Sequence, residues 1–264
     1  MKNSITTIFI SIVFSFYGIA QSKNSFFILE KTGKQRMLCE QMTKNYLMIL
    51  SNIKIDEAKI ELDQSRSEFN ENLVFLDKSL ISDITRVTLN NIETNWSIFK
   101  EKLSSKPSKE NIDEFMNLSN LISGYCNELT AKVYIENDFK NARMLNLCNK
   151  QKTNTQKIAK NFVALNSEFA DKNDYINLIN ETITSFEFSL SLLKNLAINN
   201  QLLTENLKKT ELEWIMIKDS FNYKSASYNL TNVLSNTDKI NKLTTKFSDL
   251  VQTNLLQDSK LTKL

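Results

Sequence analysis

The sequence predicts an all-α protein built as two tandem antiparallel four-helix bundles, and three observations lead there. The stretch GKQRMLCEQMTKNYL, from Gly33 to Leu47, returns in weakened form as NKQKTNTQKIAKNFV, from Asn149 to Val163, 116 residues later. A repeat at a fixed offset marks one structural unit used twice. Three further blocks keep nearly that offset. Asp77-Lys78-Ser79-Leu80 falls on Leu193-Lys194-Asn195-Leu196 at 116, and Glu93-x-x-Trp96-x-x-Phe99-Lys100 on Glu211-x-x-Trp214-x-x-Ile217-Lys218 at 118. Asn127-x-Leu129-Thr130-x-Lys132 matches Asn241-x-Leu243-Thr244-x-Lys246 at 114. Small drifts of offset are what short insertions in loops produce, and four blocks per copy imply four helices per copy. Thirdly, beyond residue 20 the chain holds only Gly33, Gly124 and Pro107 as glycines and proline. A sheet protein of this size needs many such turn residues, so their scarcity points to long helices.

Met1-Lys2-Asn3, the apolar run from Ile5 to Ile19 and the ending Gly18-Ile19-Ala20 read as a secretory signal peptide over residues 1–20, cut before Gln21. The expected destination is the periplasm or the outside of the cell. An uncleaved anchor is the alternative, for which the run is short of the ~20 apolar residues a span needs. No cysteine stands at the start of the mature chain to carry a lipid, and no later stretch is apolar enough to cross a membrane, so no membrane span is expected in the mature chain.

The first module is expected over residues 24–137, with helices near 26–53, 56–79, 83–103 and 109–136. Asp56 and Asp83 are the expected N-caps. Ser104-Ser105-Lys106-Pro107-Ser108 is the clearest loop, because proline disfavours helix at the residue before it. The second module, over 138–258, should place helices near 138–168, 174–197, 201–222 and 226–256. Asp171-Lys172-Asn173-Asp174, Asn199-Asn200 and Tyr223-Lys224-Ser225 mark its breaks. From Ser108 to Glu168 there is no proline and only Gly124. The fourth helix is therefore expected to run straight into the fifth, at about 1.5 Å per residue, and hold the bundles end to end as a rod. A break at Asn137-Asp138, two poor helix formers, is the alternative.

On a helical wheel Leu38, Met42, Tyr46, Ile49 and Ile53 form one apolar stripe with Gln35 at its N-terminal end. The opposite side carries Gly33, Met37, Leu47 and Met48 among Arg36, Glu40 and Lys44. A helix with apolar groups on both faces has a neighbour on both. Arginine is scarce here, and Arg36 sits beside Gly33 and Met37, where a second helix can approach closely. Paired with the same residue of a partner helix, it forms a two-pronged donor for a small planar oxyanion. The alternative is a ladder of Arg36, Glu40 and Lys44 at i, i+4 spacing on a solvated surface, where such pairs contribute little. The second copy has Lys152, Gln156 and Lys160 at these positions and loses both the fork and the acid. Trp96 and Trp214, at equivalent positions, are expected core anchors.

A net charge of +3 with charges alternating in sign describes a solvated helical surface more than a nucleic-acid footprint, so no nucleic-acid partner is expected. There is no histidine, no paired-carboxylate pattern and no glycine-rich phosphate loop, so an enzyme is not expected and no cofactor is. Cys39, Cys126 and Cys148 allow at most one intrachain disulfide and fit no zinc spacing. Cys39 with Cys126 and three buried free thiols are the two readings.

Gly33, Gln35, Arg36, Met37, Leu38, Gln41, Lys44 and Tyr46 resemble the opening helix of the PilJ-type domain, the N-terminal sensory region of type IV pilus methyl-accepting chemotaxis transducers, related to NarX-like nitrate sensors. The second copy keeps Gln151, Lys160 and the aromatic Phe162, and puts Lys152 in place of the arginine. The resemblance implies an extracytoplasmic four-helix bundle, commonly dimeric, that reports a small ligand across a membrane. It implies ligand contact at Arg36, flanked by Gly33, Lys34, Gln35 and Met37, between two first helices, with Lys150, Gln151 and Lys152 as a weaker second copy. Such sensors continue into a second transmembrane helix and an output domain, and neither stands before Leu264. The expectation is therefore a ligand-binding module without its own output, for a small oxyanion such as nitrate or nitrite. It would pair as a homodimer through helix one and work with a membrane receptor. A structural or interaction bundle without a small-molecule ligand is the alternative.

Overall fold

The computed structural model describes residues 2–136, 142–167, 172–226 and 228–261, with side chains described between residues 25 and 254 of these. The described residues are helical and contain no strand. In chain order the helices are α1 (Lys2–Leu50), α2 (Ile55–Ser79), α3 (Asp83–Ser104), α4 (Ile112–Glu136), α5 (Ala142–Leu165), α6 (Lys172–Ala197), α7 (Gln201–Ile217) and α8 (Leu230–Leu261), with short 3₁₀ turns at Lys109–Asn111 and Lys218–Phe221. Among the described residues no helix is long and apolar enough to cross a membrane.

The loops follow local chemistry. Asn52 and Lys54 take left-handed backbone, with φ of 56° and 43°, and reverse the chain within four residues between α1 and α2. Asn200 caps α7, its side chain accepting from the Leu203 amide at 3.1 Å. Asp56 and Asp83 are not the caps. Those positions belong to Lys54 and Ser82, and the two aspartates lie in the first turn, where negative charge meets the helix N-terminus.

Residues at equivalent places in the two copies make the same contacts. The Gln35 amide donates to the Phe69 carbonyl at 3.1 Å, and the Gln151 amide to the Phe186 carbonyl at 2.8 Å. Phe69 packs on Trp96 and Phe186 on Trp214, each with ring centroids 4.3 Å apart. Both tryptophans are buried, and each anchors an apolar core. A glutamine that satisfies a buried carbonyl of the next helix fixes the register of the first pair in both copies.

The two copies lie side by side. The α1 helix packs against α2, α4 and α5, and α5 packs against α6, α8 and α1. Gly33 touches its own repeat equivalent, Asn149, and Glu40 meets Lys157 and Lys160, so α1 and α5 run parallel along a central seam. Ser123 and Asn127 of α4 meet the same α1 residues as Lys160 and Asn146 of α5, in reversed order, so α5 runs opposite to α4.

This corrects the end-to-end rod and the continuous helix, and the junction itself, with the module boundary at 137–138, lies outside the described residues. The reason is the second apolar face of α1. This face is buried here, with Met37, Leu47 and Met48 in the core and Gly33 against Asn149 of α5, whereas an end-to-end rod would leave it without α5 as a neighbour. The neighbour expected from a second chain's first helix is thus supplied by this chain along the described part of α1, where Gly33 and Glu40 meet α5.

Candidate functional site

Where α1 and α4 meet α5 and α6, the seam opens into a groove of about 730 Å³. Four basic side chains line it, Arg36, Lys150, Lys157 and Lys160, against two acidic ones, Glu40 and Glu181. Most of the remaining lining is asparagine, serine and threonine, and Leu178 is its one large apolar residue.

Arg36 is 8% exposed. Its Nη1 donates to Asn127 Oδ1 of α4 at 2.9 Å and its Nη2 to Asn146 Oδ1 of α5 at 3.2 Å. The Nε has no hydrogen-bond partner among the described residues. Burial pulls the guanidinium down to about 10, so it stays charged at neutral pH. Among the described residues no carboxylate stands within ion-pair range of it. A cation held so far from water with only neutral amide partners is an electrostatic debt that an incoming anion settles.

Glu40, one turn along α1, does not neutralise it. The Glu40 carboxylate is 1% exposed and lies 2.6 Å from Lys160 Nζ and 3.6 Å from Lys157 Nζ, and Ser123 Oγ donates to it at 2.7 Å. Burial pushes this carboxyl up, but Lys160, Lys157 and the hydrogen bonds together outweigh burial and hold it below the usual range. Lys44 pairs with Glu61 of α2 at 3.1 Å. The solvated ladder of Arg36, Glu40 and Lys44 is therefore replaced by contacts to other helices, Arg36 and Glu40 each to α4 and α5 and Lys44 to α2.

The remaining predicted residues separate by role. Gly33 allows the close approach of Asn149, whose side chain fills the space of a glycine Cβ. Lys34 pairs with Glu68, Gln35 and Gln151 hold helix register, and Met37 sits in the core. Of the second copy, Lys150 joins Arg36 in the groove. Lys152 does not; it donates to Ser248 Oγ of α8 at 3.4 Å on the other side of the seam. Burial lowers its ammonium, and the charges of Glu30 and Asp249 act against that. Glu30 is the repeat equivalent of Asn146. The Glu30 charge opposes the burial of Lys152 without outweighing it, whereas no carboxylate stands within ion-pair range of Arg36 among the described residues.

Sequence reasoning missed Lys157, Asn146 and the α6 residues Thr182 and Ser185. Only Asn127 carried a signal, as the first residue of a repeated block. The others come from helices far apart in the chain.

The three cysteines are free and buried, the second of the two readings. Burial pushes Cys39 and Cys148 up to about 12 and Cys126 well above its ordinary value, so thiolate is scarce. None of the three should react with an aromatic disulfide reagent at pH 8 until denaturant is added, when all three should. Rapid labelling of the folded protein would contradict the burial.

Comparison with protein-family models, curated proteins and solved structures finds no match to this chain.

Proposed function

We propose that the chain is an extracytoplasmic, sensory-type binding module that captures a small anion in the seam groove and passes that state to a separate membrane receptor. The observation that carries the reading is Arg36, buried and charged, with amides as its partners and no carboxylate in range among the described residues. Lys150 and Lys157 add positive potential at the same groove. The likeness of residues 33–47 to the first helix of PilJ-type and NarX-like domains supports an oxyanion such as nitrate or nitrite. Lys2 ahead of the apolar run Ile5 to Ile19 supports export. The absence of histidine from the sequence, together with thiols held protonated by burial, supports binding without catalysis.

The test is thermal melting with nitrate, nitrite, sulfate, phosphate and small carboxylates, for wild type and Arg36→Met. A ligand at 100 times its dissociation constant adds about 2.7 kcal/mol. Arg36→Met should abolish the response while melting no lower than wild type, because it removes an uncompensated buried charge and frees Asn127 and Asn146 to bond water. Wild type that responds to no anion rules the reading out.

A second reading has its own observation. Phe188, Leu212, Ile215 and Met216 on α6 and α7 are large, apolar and exposed, Met216 by 77%. Such a surface suits a protein contact and favours an interaction bundle if the anion screen is empty.

A further inference from the structure

We infer that the groove takes a hydroxylated organic anion, such as a hydroxycarboxylate or sugar acid, whose hydroxyl-bearing body lies over Gly124. The inference rests on the anion reading and names the ligand class. Size is the first argument. A groove of about 730 Å³ lies in the range of small-molecule sites and holds far more than a four-atom oxyanion, since one water occupies only about 30 Å³.

Lining chemistry is the second argument. A bare oxyanion wants donors alone, and each acceptor oxygen turned toward it repels it. Asn120, Asn154, Asn161 and Ser185 carry both a donor and an acceptor, while the Ser123 and Thr182 hydroxyls, which donate to Glu40 and to the Leu178 carbonyl, keep only acceptor lone pairs for a ligand. Hydroxyl groups offer the same pair in return. No aromatic ring lines the groove to stack a base, and a single leucine cannot hold an acyl chain.

Gly124 is the third argument. It lies inside α4, where glycine costs about 1 kcal/mol relative to alanine. Unlike Gly33, it has no packing reason, because a Cβ built there meets nothing within 4 Å. It falls in the stripe Asn120, Ser123, Gly124, Asn127 that α4 turns to the groove. A side chain at this position would occupy the groove next to Arg36 and leave the bundle untouched.

The experiment is calorimetric titration of wild type and Gly124→Leu with nitrate, phosphate, succinate, malate, tartrate and gluconate. Each hydroxyl that finds its pair gains up to about tenfold, so tartrate or gluconate should bind at least about tenfold tighter than succinate and nitrate. Gly124→Leu should melt no lower than wild type, lose about tenfold or more for the hydroxylated anions, and leave nitrate within about threefold. If nitrate or succinate binds as tightly as tartrate, or if Gly124→Leu binds the hydroxylated anions as wild type does, the inference fails and the anion reading stands. If no anion binds, both fail.

Discussion

Glu40→Ala should destabilise the protein by about 3–5 kcal/mol, because it leaves the Lys160 ammonium buried without its acid. Lys160 is 5% exposed and reaches Glu40 at 2.6 Å across the seam, so the pair ties α1 to α5 as well as neutralising itself. Urea unfolding of the variant measures the loss. The double replacement Glu40→Leu with Lys160→Met removes both charges and should recover most of it, since a buried pair contributes little beyond an apolar pair of similar volume. A single-variant loss below about 1 kcal/mol would mean that groove water already solvates Lys160.

The same pair sets an acid limit. The folded Glu40 carboxyl is held below its ordinary range, with the lysines outweighing burial. A carboxyl near 4.3 when unfolded and lower when folded contributes stability in full above about pH 4.3, and that contribution is lost as pH falls through the folded value. Wild type should therefore lose stability on acidification through this window by more than the double variant does.

Gly33→Leu is the second large effect expected, at about 1–3 kcal/mol or more from overpacking. Any Cβ at Gly33 meets the Cβ, Cγ and Nδ2 of Asn149, of which the first sits too close to the backbone to swing aside. Gly33→Ala tests the point more finely, since helix propensity alone predicts a gain of about 1 kcal/mol where crowding predicts a net loss. Asn149→Gly in the same chain opens the facing side and should restore Gly33→Ala toward wild type. The coupling read from this cycle reports the α1–α5 contact directly, and independent additive effects would mean that the two residues do not touch. Gly124→Leu, with nothing in reach of its Cβ, is the control for a helical glycine without a crowded neighbour.

The helical class, and most helix positions, were legible in the sequence. The breaks at Pro107 and Asn199-Asn200 and the helices near 56–79 and 83–103 depend on residues within a turn or two of each other, and local chemistry reads them. Trp96 and Trp214 were legible as core anchors because an aromatic at helical spacing has one economical place to go. Gln35 was visible at the end of the apolar stripe, but its bond to the Phe69 carbonyl was not. The site was legible in part. Arg36 and Lys150 stood out within the repeat, whereas Lys157 and Asn146 lie at positions whose importance exists only once α5 is set against α1.

The second face of the first helix states the division most clearly. Gly33, Met37, Leu47 and Met48 show by themselves that this face needs a neighbour, because apolar surface left in water has a free-energy cost wherever it lies in the chain. They do not say whose helix covers it, since a second chain and a second copy offer the same apolar surface. Tertiary structure decided for α5, and with it the side of the seam that stays open. Asn146 stands beside Arg36 where Glu30 stands near Lys152, and that exchange of amide for acid leaves Arg36 at the groove without the carboxylate charge that partly offsets burial at Lys152. Periodicity is a property of one helix, whereas charge balance at a seam belongs to two helices more than a hundred residues apart.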